Sequence, residues 1–208
     1  LFIMKITILG CGGSFGSPLA WQKYGNIDIN NKRNFRTRSS ILIEFNNTNI
    51  LIDTSPDLRK QLYDAKCTNV DAVLFTHVHS DHTAGLPDMR AMSLINNKII
   101  PAYMPNEMIS EMETCYKYIF KGEKDYLPFM EIKNIERSFK FKNINIETFK
   151  HNHGSIDVQT YKIGNFAYST DLKEFYNTDI DNLKNLDLWI VGLLREDDHP
   201  SHAGFNKI

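Results

Sequence analysis

The heptapeptide Thr76-His77-Val78-His79-Ser80-Asp81-His82 packs three imidazoles and a carboxylate into one short stretch. These are the donor types that hold divalent cations. The stretch follows an apolar run, Val70 to Phe75, that reads as a buried strand. In extended backbone, residues two apart point the same way, so His77 and His79 can face one ion. Asp81 and His82 stand where a helix begins; they can face the same space from another direction and hold a second ion. Gly85 lets that helix start close to the site. Delivery by a buried strand places the cluster at the carboxyl end of a sheet, the usual site position in α/β proteins.

A two-metal site needs further ligands, and two later segments offer them at strand ends. One is His151-Asn152-His153-Gly154, after a strand ending near Phe149, in which either His can serve. The other is Tyr168-Ser169-Thr170-Asp171, whose Asp can bridge two ions or simply close a turn.

The elements that must position these residues follow from periodicity. Strand-like runs fall at Lys5 to Leu9, Ser40 to Phe45 and Asn49 to Ile52, with Asn46-Asn47 as a hairpin turn. Leu58 and Leu62 mark a helix over Asp57 to Asp64, opened near Pro56. Ala84 to Leu94 reads as a helix, and Pro105 opens another running through Met108, Met112 and Tyr116; their methionines suit core filling. Strands return at Phe139 to Phe141, Ile144 to Phe149, Val158 to Ile163, Phe166 to Ser169 and Leu188 to Val191. Strands, then helices, then strands again imply a layered α/β or α+β architecture with two sheets. No linker divides residues 1–208, which predicts a single domain.

Composition bounds the function. The chain has 208 residues, with 24 Lys and Arg against 25 Asp and Glu and a formal charge of -1. That balance disfavours a duplex-DNA binder, which needs a clustered cationic surface. No apolar run of about 18 residues is present, so no membrane span is expected. Three scattered cysteines, Cys11, Cys67 and Cys115, indicate neither a disulfide framework nor a thiolate zinc site. With no basic leader before the first strand and Met4 as a start, the sequence predicts a cytoplasmic protein. Gly10-Cys11-Gly12 follows a strand, but Phe15 stands where a dinucleotide fingerprint has its third glycine, so a tight turn beside the site is the better reading.

Taken together, His77-Val78-His79-Ser80-Asp81-His82, His153-Gly154 and Asp171 in Ala-Tyr-Ser-Thr-Asp resemble the metallo-β-lactamase-fold hydrolases. The flanking stretches Leu9 to Pro18, Arg36-Thr37-Arg38-Ser39-Ser40, Ile50 to Arg59, Leu194-Arg195 and His199-Pro200-Ser201-His202 are most similar to the branch containing the phosphodiesterase of the carbon–phosphorus lyase pathway. Ribonuclease Z enzymes are more distant. The resemblance implies a four-layer αββα sandwich, with His77, His79 and His153 on one metal, Asp81 and His82 on the other, and Asp171 bridging. His153 is preferred over His151 because the family pattern has Gly after the ligand. Two divalent ions, zinc first and manganese second, would hold a hydroxide between them and offset charge on a phosphoryl oxygen, making Asp81 catalytic as well as a ligand. His202 or His199 would protonate the leaving alkoxide, the family pattern favouring His202. Asp53 resembles the carboxylate that fixes a ligand imidazole. Arg36, Arg38 and Arg195 suit either phosphate contact or structural pairing.

Relatives continue through a further helix and a strand ending in a last metal His, so the resemblance implies that this sequence lacks both. The expected activity is hydrolysis of a small phosphodiester, cyclic ones included, by a chain for which a homodimer stays open. The rivals are a ribonuclease Z-type nuclease, a thiolester or β-lactam hydrolase on the same scaffold, and a degenerate metal-binding module.

Overall fold

A computed structural model describes residues 3–21, 25–176, 180–194, 196–197 and 199–207. The chain forms two compact units, Leu1–Lys133 and Asn134–Ile208.

The first unit begins with an antiparallel meander, β1 (Lys5–Gly10), β2 (Ser40–Phe45) and β3 (Thr48–Ile52). Asn46 and Asn47, at φ 51° and 55°, make the two-residue hairpin turn that their tolerance of left-handed backbone suits. Helix α1 (Leu58–Asp64) then leads to β4 (Ala72–Leu74), which pairs in parallel with β3. Ile50, Leu51, Ile52, Ala72, Val73 and Leu74 are all fully buried, which is why these two strands read as continuous apolar runs. Short helix α2 (Ser80–Thr83), helix α3 (Met89–Ile95), strand β5 (Ile100–Met104), helices α4 (Asn106–Cys115) and α5 (Lys117–Phe120), and strand β6 (Met130–Asn134) complete a sheet ordered β1-β2-β3-β4-β5-β6.

Its core gathers Leu51, Leu58, Leu62, Val73, Phe75 and Leu86 with Met89, Met104, Met108 and Met112. Burial of each such side chain is worth about 1.5–3 kcal/mol. The methionines fill this core, as their spacing predicts. The helix expected over 84–94 is instead divided: Pro87 lies in a 3₁₀ turn at Leu86–Asp88, and regular helix starts only at Met89. Strands β5 and β6 were not expected. Ile100, Ala102 and Met104 alternate inward as a strand should, but Pro101 interrupts a run of only five residues.

The second unit holds β7 (Ser138–Phe141), β8 (Ile144–Asn152), β9 (Asp157–Ile163), β10 (Phe166–Ser169), the two-residue β11 (Glu174–Phe175) and β12 (Leu188–Val191). Its order is β11-β8-β9-β10-β12, with β7 pairing β8. Strands β8 to β10 are antiparallel neighbours, and β12 joins β10 in parallel, setting Ser169 against Val191. The mixed α/β class with two sheets is as expected. Among the described residues, no helix is long and apolar enough to cross a membrane.

Candidate metal centre

In the first unit the motif runs from the end of β4 into α2, stitched to the end of β3. Asp53 N–H donates to Leu74 O at 2.9 Å, Thr54 N–H to His82 O at 2.8 Å and Gly85 N–H to Thr54 O at 2.9 Å. Gly85 is required here: a Cβ would stand 2.0 Å from Ser55 O and 2.8 Å from Leu58 Cβ.

Around this loop lies a buried polar knot. Asp53, fully buried and at φ 61°, accepts from Thr76 N–H (2.8 Å), from the Thr76 hydroxyl (2.8 Å) and from His82 Nδ1 (2.7 Å). Burial pushes its carboxyl upward, and the His82 ring and the Thr76 donors pull it back. Three converging donors suit the ionised, acceptor-only form. Thr76 Oγ1, with its proton given to Asp53, accepts from His77 Nδ1 at 2.9 Å.

Both Nδ1 atoms are therefore committed to oxygens, which leaves Nε2 of His77 and of His82 as the lone-pair side. His77 Nε2 meets His79 Nδ1 at 2.9 Å, the His77 and His82 rings lie 4.3 Å apart, and Asp81 Oδ2 stands 3.4 Å from His82 Nε2. Four of the expected metal-site residues thus converge within one loop. Such a set, imidazole nitrogens held by oxygen partners and a carboxylate beside them, fits a divalent cation.

The second unit carries the others. His153, nearly buried, has Nδ1 2.7 Å from Ser201 O, and its Nε2 lies 3.8 Å from Asp171 Oδ2. The His153 and His202 rings are 4.9 Å apart, and those of His202 and His199 5.5 Å. Ser201 N–H donates to His199 Nδ1 at 3.3 Å. His153 repeats the pattern of the first unit: Nδ1 on an oxygen, Nε2 toward a carboxylate.

His151 differs. It is fully buried, with Nδ1 3.0 Å from Thr160 Oγ1 and Nε2 2.8 Å from Thr170 O. Burial lowers its pKa to about 4, so the ring is neutral at physiological pH.

The structure separates two of the arginines. Arg38 grips Asp57 through Nε (2.8 Å) and Nη2 (2.7 Å), and its backbone N–H adds a third bond at 2.9 Å. This fork-on-carboxylate pairing is structural, and it raises Arg38 while lowering Asp57. Arg36 instead reaches Cys11 Sγ at 3.6 Å. Arg195 lies outside the described residues. The Gly10 to Gly12 loop packs on the same segment, with Gly12 N–H donating to Thr37 O at 2.7 Å. Sequence reasoning gave no part to Thr76, Ser201 or Asp57. The hydroxyl beside His77 was a usable signal for Thr76; a backbone carbonyl such as that of Ser201 leaves none.

Residues 48–208 match the family model described as a beta-lactamase superfamily domain. The chain is 31% identical over 204 residues to an octanoyltransferase of Porphyromonas gingivalis, covering 96% of this chain and 41% of that protein. It is 26% identical over 176 residues to a ribonuclease Z of Clostridium kluyveri, covering 82% and 50%. It therefore spans half or less of the length of these curated relatives. Among solved structures, a diphosphatase from the PhnP family superposes with a TM-score of 0.87 at 25% identity, over 100% of this chain and 80% of the other.

Proposed function

The chain belongs to the beta-lactamase superfamily, and from that premise we propose that it is a dinuclear metal-dependent phosphodiesterase acting on a small phosphodiester, cyclic ones included. The observation that carries this reading is the shared state of three histidines. His77, His82 and His153 each have Nδ1 against an oxygen at 2.9, 2.7 and 2.7 Å, the arrangement that readies Nε2 to bind a cation.

In this proposal His77, His79 and His153 hold one ion, Asp81 and His82 the other, and Asp171 bridges them, within a single domain over residues 1–208. Zinc is the first choice and manganese the second. When bound, such ions activate water near neutral pH and polarise a phosphoryl oxygen. The protein's own part is to fix the rings through Asp53, Thr76 and the Ser201 carbonyl, and to return a proton to the leaving alkoxide from His202, with His199 beside it. The likeness to the PhnP-family diphosphatase supports hydrolysis at a phosphoryl centre. The free thiols of Cys11, Cys67 and Cys115 support a reducing, cytoplasmic setting.

The test is turnover of bis(p-nitrophenyl) phosphate and of cyclic nucleotides by the full-length protein loaded with zinc or manganese. Metal-dependent release of product is expected. A protein that carries about two ions per chain yet turns over neither substrate overturns the reading.

Similarity to the Clostridium kluyveri enzyme favours one second reading, a ribonuclease Z-type nuclease. The formal charge of -1 counts against it. A gel shift with tRNA separates the two.

A further inference from the structure

We propose that His151 is a positioning residue for Asp171, holding the peptide before that carboxylate through a directed chain of buried hydrogen bonds that begins at the Trp189 indole. The inference rests on the proposed role of Asp171 as a bridging ligand.

Trp189 Nε1–H, which can only donate, reaches Ser169 Oγ at 3.0 Å. The Ser169 and Thr160 hydroxyls lie 2.8 Å apart, Thr160 Oγ1 is 3.0 Å from His151 Nδ1, and His151 Nε2 is 2.8 Å from Thr170 O. The direction follows from the two ends. A carbonyl accepts only, so His151 Nε2 carries the proton. Nδ1 of the neutral ring must then accept, and the Thr160 hydroxyl is its donor. With its proton so committed, Thr160 Oγ1 accepts from Ser169, whose oxygen takes the indole N–H. Every donor has an acceptor, and one tautomer satisfies the chain.

What the chain holds is a strained turn. Asp171 has φ 49°, an uncommon conformation for a residue with a Cβ. Its side chain nonetheless sits 3.8 Å from His153 Nε2. The turn is braced on both sides. His151 holds the Thr170 carbonyl, and on the other side Gly192 comes so near that a Cβ there would stand 2.9 Å from Asp171 N. Gly192 N–H donates to Ser169 O at 2.7 Å, and Ala203 N–H to Leu172 O at 2.7 Å. His151 is thus the side chain that fixes the peptide from which the Asp171 carboxylate projects. It lies near the end of β8, two residues before His153, which directly follows the strand, so one segment supplies a ligand and the brace for another. Phe175, with its ring 5.5 Å from His151 and 5.8 Å from Trp189, closes the pocket around the imidazole.

The experiment compares the parent chain with His151→Phe, His151→Gln and Thr160→Val. Zinc stoichiometry is read by elemental analysis and zinc affinity by competition with a chromophoric chelator. Circular dichroism of the metal-free proteins reports folding, and ¹⁵N NMR reports the His151 tautomer. The parent is expected to show Nε2–H at His151. His151→Phe, which keeps the bulk and loses both hydrogen bonds, weakens zinc binding by about 10- to 100-fold. His151→Gln, whose amide offers one donor and one acceptor, recovers most of that loss, and Thr160→Val weakens binding in the same direction by a smaller factor. Folded His151→Phe that binds zinc as tightly as the parent overturns the proposal, as does His151→Gln that is folded but no better than Phe. If His151→Phe fails to fold, unchanged affinity in Thr160→Val together with an Nδ1–H tautomer in the parent overturns it. A parent chain that takes up two zinc ions but hydrolyses no phosphodiester sinks the substrate reading and leaves this inference standing.

Discussion

Replacing Asp53 with Asn tests whether hydrogen bonding sets the chemistry of the metal-binding rings. The substitution is isosteric, so no cavity opens, but it exchanges one acceptor oxygen for a donor. Thr76 N–H, 2.8 Å from Oδ1, keeps the amide oxygen on its side. The new NH₂ then faces the two groups that meet Oδ2, His82 Nδ1 at 2.7 Å and Thr76 Oγ1 at 2.8 Å. His82 Nδ1 must accept, so the proton moves to Nε2, the side on which Asp81 lies 3.4 Å away. Thr76 Oγ1 also accepts, which turns its hydroxyl proton onto His77 Nδ1, 2.9 Å away, and flips the second ring in the same way. One atom change therefore blocks two Nε2 ligands. The fold loses little beyond one charge-assisted hydrogen bond, about 1.5–3 kcal/mol. At about 2–4 °C per kcal/mol for a chain of this size, the metal-free protein melts roughly 3–12 °C lower. Loss of such an outer partner typically costs about 10- to 100-fold in metal affinity, and two rings are affected, so at least the upper figure is expected. Chelator competition for zinc and thermal melts of the metal-free chain measure the two effects separately. An Asp53→Asn protein that melts in this range yet binds zinc at parental affinity refutes the reasoning, since the ring tautomers would then be set by something else.

Three other outcomes are expected. His202→Ala should keep its metal content while kcat on a cyclic nucleotide, whose leaving group needs a proton, falls by about 10²- to 10⁴-fold; turnover of bis(p-nitrophenyl) phosphate, whose leaving phenolate needs none, should change little, and equal losses on both substrates would remove His202 from the acid role. Gly85→Ala forces a methyl group against the Ser55 carbonyl and Leu58, so a loss of about 1–3 kcal/mol in urea denaturation is expected, together with poorer zinc retention; a melt unchanged from the parent would contradict the close packing. The Arg38 pair holds the Asp57 carboxyl below the ordinary carboxylate range, so its contribution to stability is present above the unfolded-state pKa of about 4 and is lost as pH falls through the lower folded value; Asp57→Asn should flatten that acid limb of the stability curve, and an unaltered limb would show that Asp57 does not shape it.

How far the sequence reached depended on whether a signal was local. The His77 to His82 cluster was legible because four donors fall within six residues after an apolar strand. The helix-and-strand order of both units was legible wherever runs were long or apolar throughout, as at Ile50 to Ile52. Strand β5 escaped because Pro101 breaks a run whose inward residues, Ile100, Ala102 and Met104, differ widely in size. β6 escaped because Met-Glu-Ile-Lys-Asn is mostly polar. Partners far apart in sequence were not legible at all: Asp57 lies 19 residues from Arg38, and Ser201 reaches His153 through its backbone carbonyl across 48. The sequence left His151 and His153 as equal candidates until a family pattern was laid over them. Side-chain identity cannot separate two histidines two residues apart, whereas their hydrogen-bond partners can.

That last point reaches beyond one pair of residues. An imidazole has two nitrogens, and what it can do is decided by what each of them meets. His151 has both engaged, one by a hydroxyl and one by a carbonyl, and is left as a brace. His77, His82 and His153 each have Nδ1 engaged by a hydroxyl, a carboxylate and a carbonyl in turn, which fixes the ring and turns Nε2 toward another candidate ligand, His79 at 2.9 Å, Asp81 at 3.4 Å and Asp171 at 3.8 Å respectively. Three different oxygen types achieve the same tautomer, so the constraint acts on the proton's position rather than on the identity of the partner. It follows that substitutions preserving an acceptor at these positions should be tolerated, and those that introduce a donor should not, even where shape and burial are unchanged.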